Sequence, residues 1–238
     1  MDKNIVNKID DSVKIKTVLL SVSDKSGLEL FVPGLLDINP QLKILSTGGT
    51  HGRIKKILGD RAQGCLQQVS DYTGQPETQG GLVKTLDFRV YLGLLTETYN
   101  PDHQNDLKRT DSLAIDMVVV NLYPFKETIE QKGISCENAR GNIDIGGPTM
   151  IRASAKNFIR VASVVNPADY DGILKRMGQN SGALSLADRF ALSQKAFEHT
   201  ALYDRTIADY LAGVSVDDMA ACYNTTGNTT GEYKWQMI

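Results

Sequence analysis

The sequence has little that would staple it covalently or carry it into a membrane. Its three cysteines, Cys65, Cys136 and Cys222, lie far apart and form no C-x-x-C pair. That pattern fits neither a disulfide framework nor a zinc site and points to a reducing cytoplasm. No apolar run reaches the roughly 18 residues of a membrane span. The N-terminal "MDKNIVNKIDDSVKIK" is charged throughout, so no export signal is expected either. An excess of one charge is missing too: 26 Lys+Arg stand against 28 Asp+Glu, a formal net charge of -2. There is thus no overall electrostatic case for a nucleic-acid polymer or an anionic membrane as partner, and any anion site must be local. The histidines number three, His51, His103 and His199, and supply no obvious imidazole proton shuttle.

What is present is apolar material for a real core, 41% of 238 residues, arranged in short β-branched runs. These are "TVLLSV" (17–22), "LKIL" (42–45), "VYLGLL" (90–95), "IDMVVVNL" (115–122) and "RVASVV" (160–165). Continuous rather than alternating, they read as strands covered on both faces. Helical spacing lies between them, at Leu28/Phe31/Leu35, Ile54/Ile57/Leu58, Ile151/Ala155 and Tyr170/Ile173/Leu174. The alternation predicts an α/β layered fold with a mostly parallel central sheet flanked by helices. Pro33-Gly34 inside the first helical pattern predicts a short or kinked helix. The polar stretch "TETYNPDHQNDLKRTDS" (96–112) reads as a long surface loop. After Gly182, Ser185 with Asp188 forms a capping signal, Leu186, Phe190 and Phe197 mark an apolar stripe, and Gly213 is a natural stop. The resulting division is an extension at 1–16, the α/β domain at 17–182, a C-terminal helical segment at 183–213 and a polar tail at 214–238.

Several segments carry residues suited to chemistry. "LSTGGTHG" (45–52) sits at a strand-to-helix junction, where free backbone N–H groups and the helix dipole favour an anion. Such a pattern also serves an ordinary tight turn. "SVSDKSG" (21–27) is a second junction of the same kind, and ligands of parallel sheets bind beside such strand ends. Lys84-Thr85 follows a glycine pair, and Asn121, Tyr123 and Pro124 end the most apolar strand. In "NIDIGGPTMIRASAKN" (142–157), Asp144 precedes a Gly-Gly-Pro turn and Lys156 closes the helix that follows. An aspartate buried near Lys84 and Lys156 would form a proton shuttle, while the same residues also suit a capped turn and a solvated face.

Taken in order, "LLSVSDKSGLELF", "LSTGGTHGRI", "VSDYTGQPE", "GGLVKTL", "IDMVVVNLYPF", "NIDIGGPTMIRASAKN" and "VVNPADYDGIL" closely resemble the inosine monophosphate cyclohydrolase domain of the bifunctional purine enzyme, from about Thr17 to about Gly213. The resemblance implies a methylglyoxal-synthase-like fold and closure of a formylated aminoimidazole carboxamide ribonucleotide to inosine monophosphate, with no metal or organic cofactor. It implies a cytoplasmic homodimer. Carried over by position, Ser23, Asp24, Lys25, Ser46, Thr47, Gly48, Gly49, Thr50, Thr85, Asn121, Ile145 and Gly146 would bind the purine ribonucleotide. Lys84, Tyr123, Asp144 and Lys156 would form the catalytic set, with Lys84 and Tyr123 at the oxyanion and Asp144 and Lys156 in proton transfer.

The sequence departs from the family in one site segment. Where the family usually reads G-R-V-K-T-L-H-P-x-V-H, this chain has "GLVKTLDFRVY", so Leu82 stands for an arginine, Asp87-Phe88 for His-Pro and Tyr91 for a histidine. Arg89 is a nearby candidate to compensate. The chain also ends near where the transformylase half would begin; a stand-alone cyclohydrolase would have to take its formylated substrate from a separate transformylase. The altered segment motivates an alternative, a non-catalytic nucleotide-binding relative. A methylglyoxal synthase or other lyase of this fold is disfavoured by the scarcity of histidine.

Overall fold

The computed structural model describes residues 5–75, 85–224 and 226. In chain order it begins with β1 (Ser12–Lys14), β2 (Thr17–Val22), α1 (Leu28–Ile38), β3 (Lys43–Ser46), α2 (Gly48–Leu58), β4 (Leu66–Gln68) and α3 (Val69–Thr73). Next come α4 (Phe88–Leu95), α5 (Pro101–Arg109), β5 (Met117–Asn121), α6 (Phe125–Ile129), α7 (Cys136–Gly141) and α8 (Gly146–Lys156). It finishes with β6 (Ala162–Val164), α9 (Tyr170–Gln179), β7 (Ala183–Ser185), α10 (Leu186–Gly213) and α11 (Val216–Ala220). Two compact units result, one from Met1–Tyr123 with Asp144–Leu202, the other from Pro124–Ile143 with Tyr203–Ile238.

The first unit is built on a sheet of order β4-β3-β2-β5-β6, parallel throughout, as its continuous apolar runs predict. Val18 and Leu20 on one face of β2 join Phe31, Leu35, Ile44, Ile54, Met117 and Val119 in one cluster. Leu19, Val118 and Val120, which alternate with them, are buried as well, so both faces are covered. At roughly 1.5–3 kcal/mol for each large apolar side chain removed from water, this stack is the main source of stability.

The amino edge of the sheet is locked by a buried ion pair. Asp116 Oδ2 accepts the N–H groups of Lys16 and Thr17 at 2.9 and 3.0 Å, which fixes the start of β2. Arg160 meets the other carboxylate oxygen at 3.3 Å and donates to the carbonyls of Thr96 and Gly93. Arg189, fully buried, donates to the carbonyls of Asp10, Asp11, Phe158, Ile159 and Leu184, and so ties the antiparallel β1–β7 pair to the chain before β6.

Two local expectations change. "VYLGLL" lies in α4, not in a strand: Asp87 Oδ1 caps it by accepting the Arg89 N–H at 2.8 Å, and Val90, Gly93 and Leu94 are buried at helical spacing. A six-residue apolar run does not by itself distinguish the two periods. The stretch 96–112 contains α5, started by Asn100, whose side chain caps Asp102 and His103, and by Pro101 in the first turn, where proline is tolerated. The Asn-Pro pair is thus a helix start here. α1 continues through Pro33 over 11 residues.

The Ser185/Asp188 box forms as expected, with Ser185 N–H to Asp188 Oδ2 at 3.1 Å and Asp188 N–H to Ser185 Oγ at 3.2 Å. α10 is one helix of 28 residues ending at Gly213. Its buried face is Arg189, Leu192, Ser193, Ala196 and Thr200, while Phe190 and Phe197 of the apolar stripe are exposed. Phe190 packs edge-on to Phe158, and Arg152 lies over the Phe197 ring. Within the second unit, Phe125 packs edge-on against Tyr203 and Tyr210. Among the described residues, no helix is long and apolar enough to cross a membrane.

Candidate functional site

With the amino edge sealed, the carboxyl edge of the sheet receives the loops that follow β2, β3 and β5. The β2–α1 loop is held by Asn121, the last residue of β5. Its Oδ1 accepts the N–H groups of Ser23 and Asp24 at 2.6 and 2.9 Å, and its Nδ2 donates to the Asp24 carbonyl at 2.9 Å. Asp24 in turn accepts from Ser26 N–H and Oγ, at 2.9 and 2.6 Å, bonds that hold its carboxyl below the usual carboxylate range. The loop ends at Gly27, whose φ of 76° is the left-handed region natural to glycine, with the Tyr170 ring directly against it. Tyr170 is stacked on Phe31 at 4.1 Å.

The β3–α2 turn is held to β2 by its hydroxyls. Ser46 Oγ donates to the Leu20 carbonyl at 2.8 Å, Thr47 Oγ1 bonds Ser21 Oγ at 2.7 Å, and Thr50 Oγ1 both accepts from Val22 N–H and donates to its carbonyl at 3.0 Å. All three side chains are buried, so these hydroxyls shape the turn rather than face solvent. Thr47 starts α2 without capping it, and the exposed Gly48 and Gly49 open the helix with N–H groups that have no acceptor inside it. Lys25 brings a cation there: its Nζ donates to the Ser23 carbonyl at 3.2 Å, and its Cε lies 4.0 Å from where a Cβ on Gly49 would stand. Backbone donors, a helix start and an ammonium group together suit a phosphate.

The third part is the start of α8. Asp144 Oδ1 accepts the Gly147 N–H at 3.0 Å, and a Cβ on Gly146 would lie 2.5 Å from Thr85 Oγ1. The glycine pair therefore lets buried Thr85 and the Asp144 carboxylate both close on the first turn of α8. Ile145, at the cap, is exposed, and Tyr123, two residues beyond Asn121, is 51% exposed. α1, α2 and α8 begin here without a cap from the N-cap side chain, as α3, α6 and α9 also do, whereas α4, α5, α7 and α11 are capped by Asp87, Asn100, Ser135 and Ser215.

The sequence-predicted residues thus fall into groups. Ser23, Asp24, Lys25, Ser46, Thr47, Gly48, Gly49, Thr50 and Asn121 surround three adjacent strand ends, and Thr85, Asp144, Ile145 and Gly146 meet at the start of α8. Lys84 lies outside the described residues, as does Leu82. Lys156 is exposed at the opposite end of α8, about 15 Å along the axis from the first turn at 1.5 Å per residue. Arg89 does not turn to this edge: its guanidinium donates to the Tyr72 and Asp111 carbonyls and lies over the Tyr72 ring. Asp87 is buried between Arg89 N–H and Gln75 Nε2, the latter at 2.7 Å. Sequence reasoning missed Ser21, Gly147 and Tyr170 as supports. Gly147 was legible from the Gly-Gly after Asp144, but the Tyr170–Gly27 contact joins residues too far apart in sequence to leave a local signal.

Residues 28–149 match the MGS-like domain family, and residues 154–236 match the AICARFT/IMPCHase bienzyme family. Among solved structures, the crystal structure of ForH is similar at 31% identity and a TM-score of 0.68, over 82% of this chain and 97% of that one. With half of its length in that family, the chain belongs to the MGS-like domain proteins, and its C-terminal third is similar to the AICARFT/IMPCHase bienzyme family.

Proposed function

We propose that this protein is an inosine monophosphate cyclohydrolase. It would close 5-formamidoimidazole-4-carboxamide ribonucleotide to inosine monophosphate with loss of water. The observation that carries the reading is the start of α8, where the Asp144 carboxylate and Thr85 converge at the same edge of the sheet as the phosphate-suited turn of α2. The family matches place the chain in a purine-related group and support the same reading.

In this reaction the carboxamide nitrogen attacks the formyl carbon of the same molecule, a C–N bond forms, and the formyl oxygen departs as water. Holding the two groups in register supplies much of the barrier reduction. The 5′-phosphate would rest on Gly48, Gly49 and Lys25, which directs the heterocycle toward Asn121, Tyr123 and α8. As the formyl oxygen gains charge, the first-turn N–H groups of α8, the Tyr123 phenol and Lys84 would stabilise it. Asp144 would take the proton from the attacking nitrogen. Lys156, a helix length away, is not assigned to this pocket.

The test follows ultraviolet absorbance as purified protein meets the formylated ribonucleotide. The parent is expected to cyclise it, and Asp144→Asn to lose at least ~100-fold, the typical contribution of a direct proton carrier, with a loss of about the same size in Lys84→Ala, the typical weight of one oxyanion donor. Lys156→Ala is expected to lose less; an equal loss would mean that another copy of the chain delivers this lysine.

A second reading, a purine-nucleotide-binding relative without turnover, is favoured by one observation: Asp87 and Arg89, in the segment that departs from the family, are both turned into local structure. Tight binding of inosine monophosphate with no cyclisation would select it.

A further inference from the structure

The motif "VVNPADYDGIL" (164–174) takes no part in the reaction proposed above, yet it is tightly built. It follows β6 at the carboxyl edge of the sheet and leads into α9. Asn166 Oδ1 accepts the Ala168 N–H at 2.9 Å, Pro167 suits a first helical turn, and Asp169 Oδ1 accepts from Lys195 Nζ of α10 at 2.5 Å. The turn is thus held at both ends before Tyr170 begins α9.

Tyr170 is buried, and what it touches is the loop after β2. Its ring stacks on Phe31 with the planes 14° from parallel, and a Cβ on Gly27 would lie 3.1 Å from Tyr170 Cδ2. One turn further along both helices, a Cβ on Gly34 would lie 2.8 Å from Leu174 Cδ1, so α9 lies close along α1. At the N-cap of α1, Gly27 has no side chain to offer, so packing and not a cap locates the first turn. That turn is joined to Lys25 through the backbone: the Gly27 carbonyl accepts the Phe31 N–H at 2.9 Å, and the Lys25 carbonyl accepts the Leu28 N–H at 3.4 Å. Burial, and next the Asp24 carboxylate of the same loop, push the Tyr170 phenol above its ordinary value, so it stays uncharged there.

We propose that Tyr170 is a positioning residue for the phosphate of a bound ribonucleotide: its ring fixes Gly27 and the start of α1, and through them the loop that carries Lys25 to the start of α2. The assignment rests on the phosphate site of the function proposed above and adds the residue that sets where the Lys25 ammonium stands.

Calorimetric titration with inosine monophosphate compares the parent with Tyr170→Phe, Tyr170→Leu, Lys25→Ala and the double variant Lys25→Ala, Tyr170→Leu, each checked for folding by thermal unfolding. Tyr170→Phe keeps the stacked ring and is expected to bind like the parent. Tyr170→Leu is expected to bind roughly 10- to 100-fold more weakly, the weight of one charge-assisted hydrogen bond. Both single changes act on the same contact, so the double variant is expected to bind no more weakly than Lys25→Ala, a non-additivity that general loosening of the fold would not produce. Losses that add, an unchanged affinity in Tyr170→Leu, or an equal loss in Tyr170→Phe would each overturn the proposal. Should Tyr170→Leu fail to fold, Gly27→Ala carries the test: the added methyl and the Tyr170 ring cannot both keep their places, and unchanged affinity would again overturn it. A parent that binds inosine monophosphate without cyclising the formylated ribonucleotide overturns the cyclohydrolase reading alone, and the same titrations still decide the role of Tyr170. A parent that binds no purine ribonucleotide overturns both.

Discussion

The Asp144 carboxylate sits on the Gly147 N–H at 3.0 Å because Gly147 has no side chain: a Cβ there would lie 2.4 Å from Asp144 Oδ2 and 2.6 Å from Leu122 Cδ2. The same two contacts connect the end of β5 to the start of α8. The position of the carboxylate proposed to move a proton is therefore set by backbone spacing and not by a flexible side chain.

Gly147→Ala is expected to displace that carboxylate. Overpacking of this kind costs about 1–3 kcal/mol of stability. Cyclisation is expected to fall much further than the melting temperature, because the displaced group is the proton acceptor. Kinetics and thermal unfolding on one preparation check this; a variant that keeps full activity would remove Asp144 from the mechanism.

Asn121→Ala takes away the acceptor for Ser23 and Asp24 N–H and the donor to the Asp24 carbonyl. With each net hydrogen bond worth about 0.5–1.5 kcal/mol, the loop should loosen at modest cost to the whole fold. Affinity for inosine monophosphate is expected to drop, because Lys25 is carried by that loop. Calorimetric titration measures it, and unchanged affinity would detach the loop from the ligand.

Asp116→Ala leaves the buried Arg160 guanidinium without its counter-charge. Breaking one side of such a pair costs about 3–5 kcal/mol. Urea unfolding should show a fall of that size, and a double Asp116→Ala, Arg160→Met variant should recover part of it.

His199 gives a dependence on pH. Burial lowers its pKa below the ordinary value, and its Nε2 has no partner among the described residues. A depressed folded-state value means that the unfolded chain takes up the proton first. The contribution of this group to stability is thus complete above the unfolded value near 6.5 and is lost as pH falls through the folded one. The melting temperature should decline on acidification below about pH 6.5, and less steeply in His199→Gln; equal slopes would refute the assignment.

Much of the framework is legible locally. "TVLLSV" is β2 residue for residue, and the cores of "IDMVVVNL" and "RVASVV" are β5 and β6. Continuous apolar character is a strong mark of a strand buried on both faces. The errors lie where a short signal has two meanings. "VYLGLL" became a helix because Asp87 caps it, and Asn100-Pro101 started α5 because the pair suits a cap and first turn as well as a bend. The exposed faces of Phe190 and Phe197 follow from Arg189, whose five carbonyl partners turn its own side of α10 inward.

The sequence by itself determined the layered α/β class, the order of the strands' apolar runs, the two glycine-bearing turns and the Asp-Ile-Gly-Gly start of α8, because each is written in residues close together along the chain. Tertiary packing settled which polar side chains turn inward. It turned Ser46, Thr47 and Thr50 inward onto β2, used Asn121 to clamp the Ser23–Asp24 loop and carried Lys156 to the far end of α8. These depend on contacts between distant parts of the chain. Packing against a neighbour fixes where a polar atom points, and no local pattern records that choice.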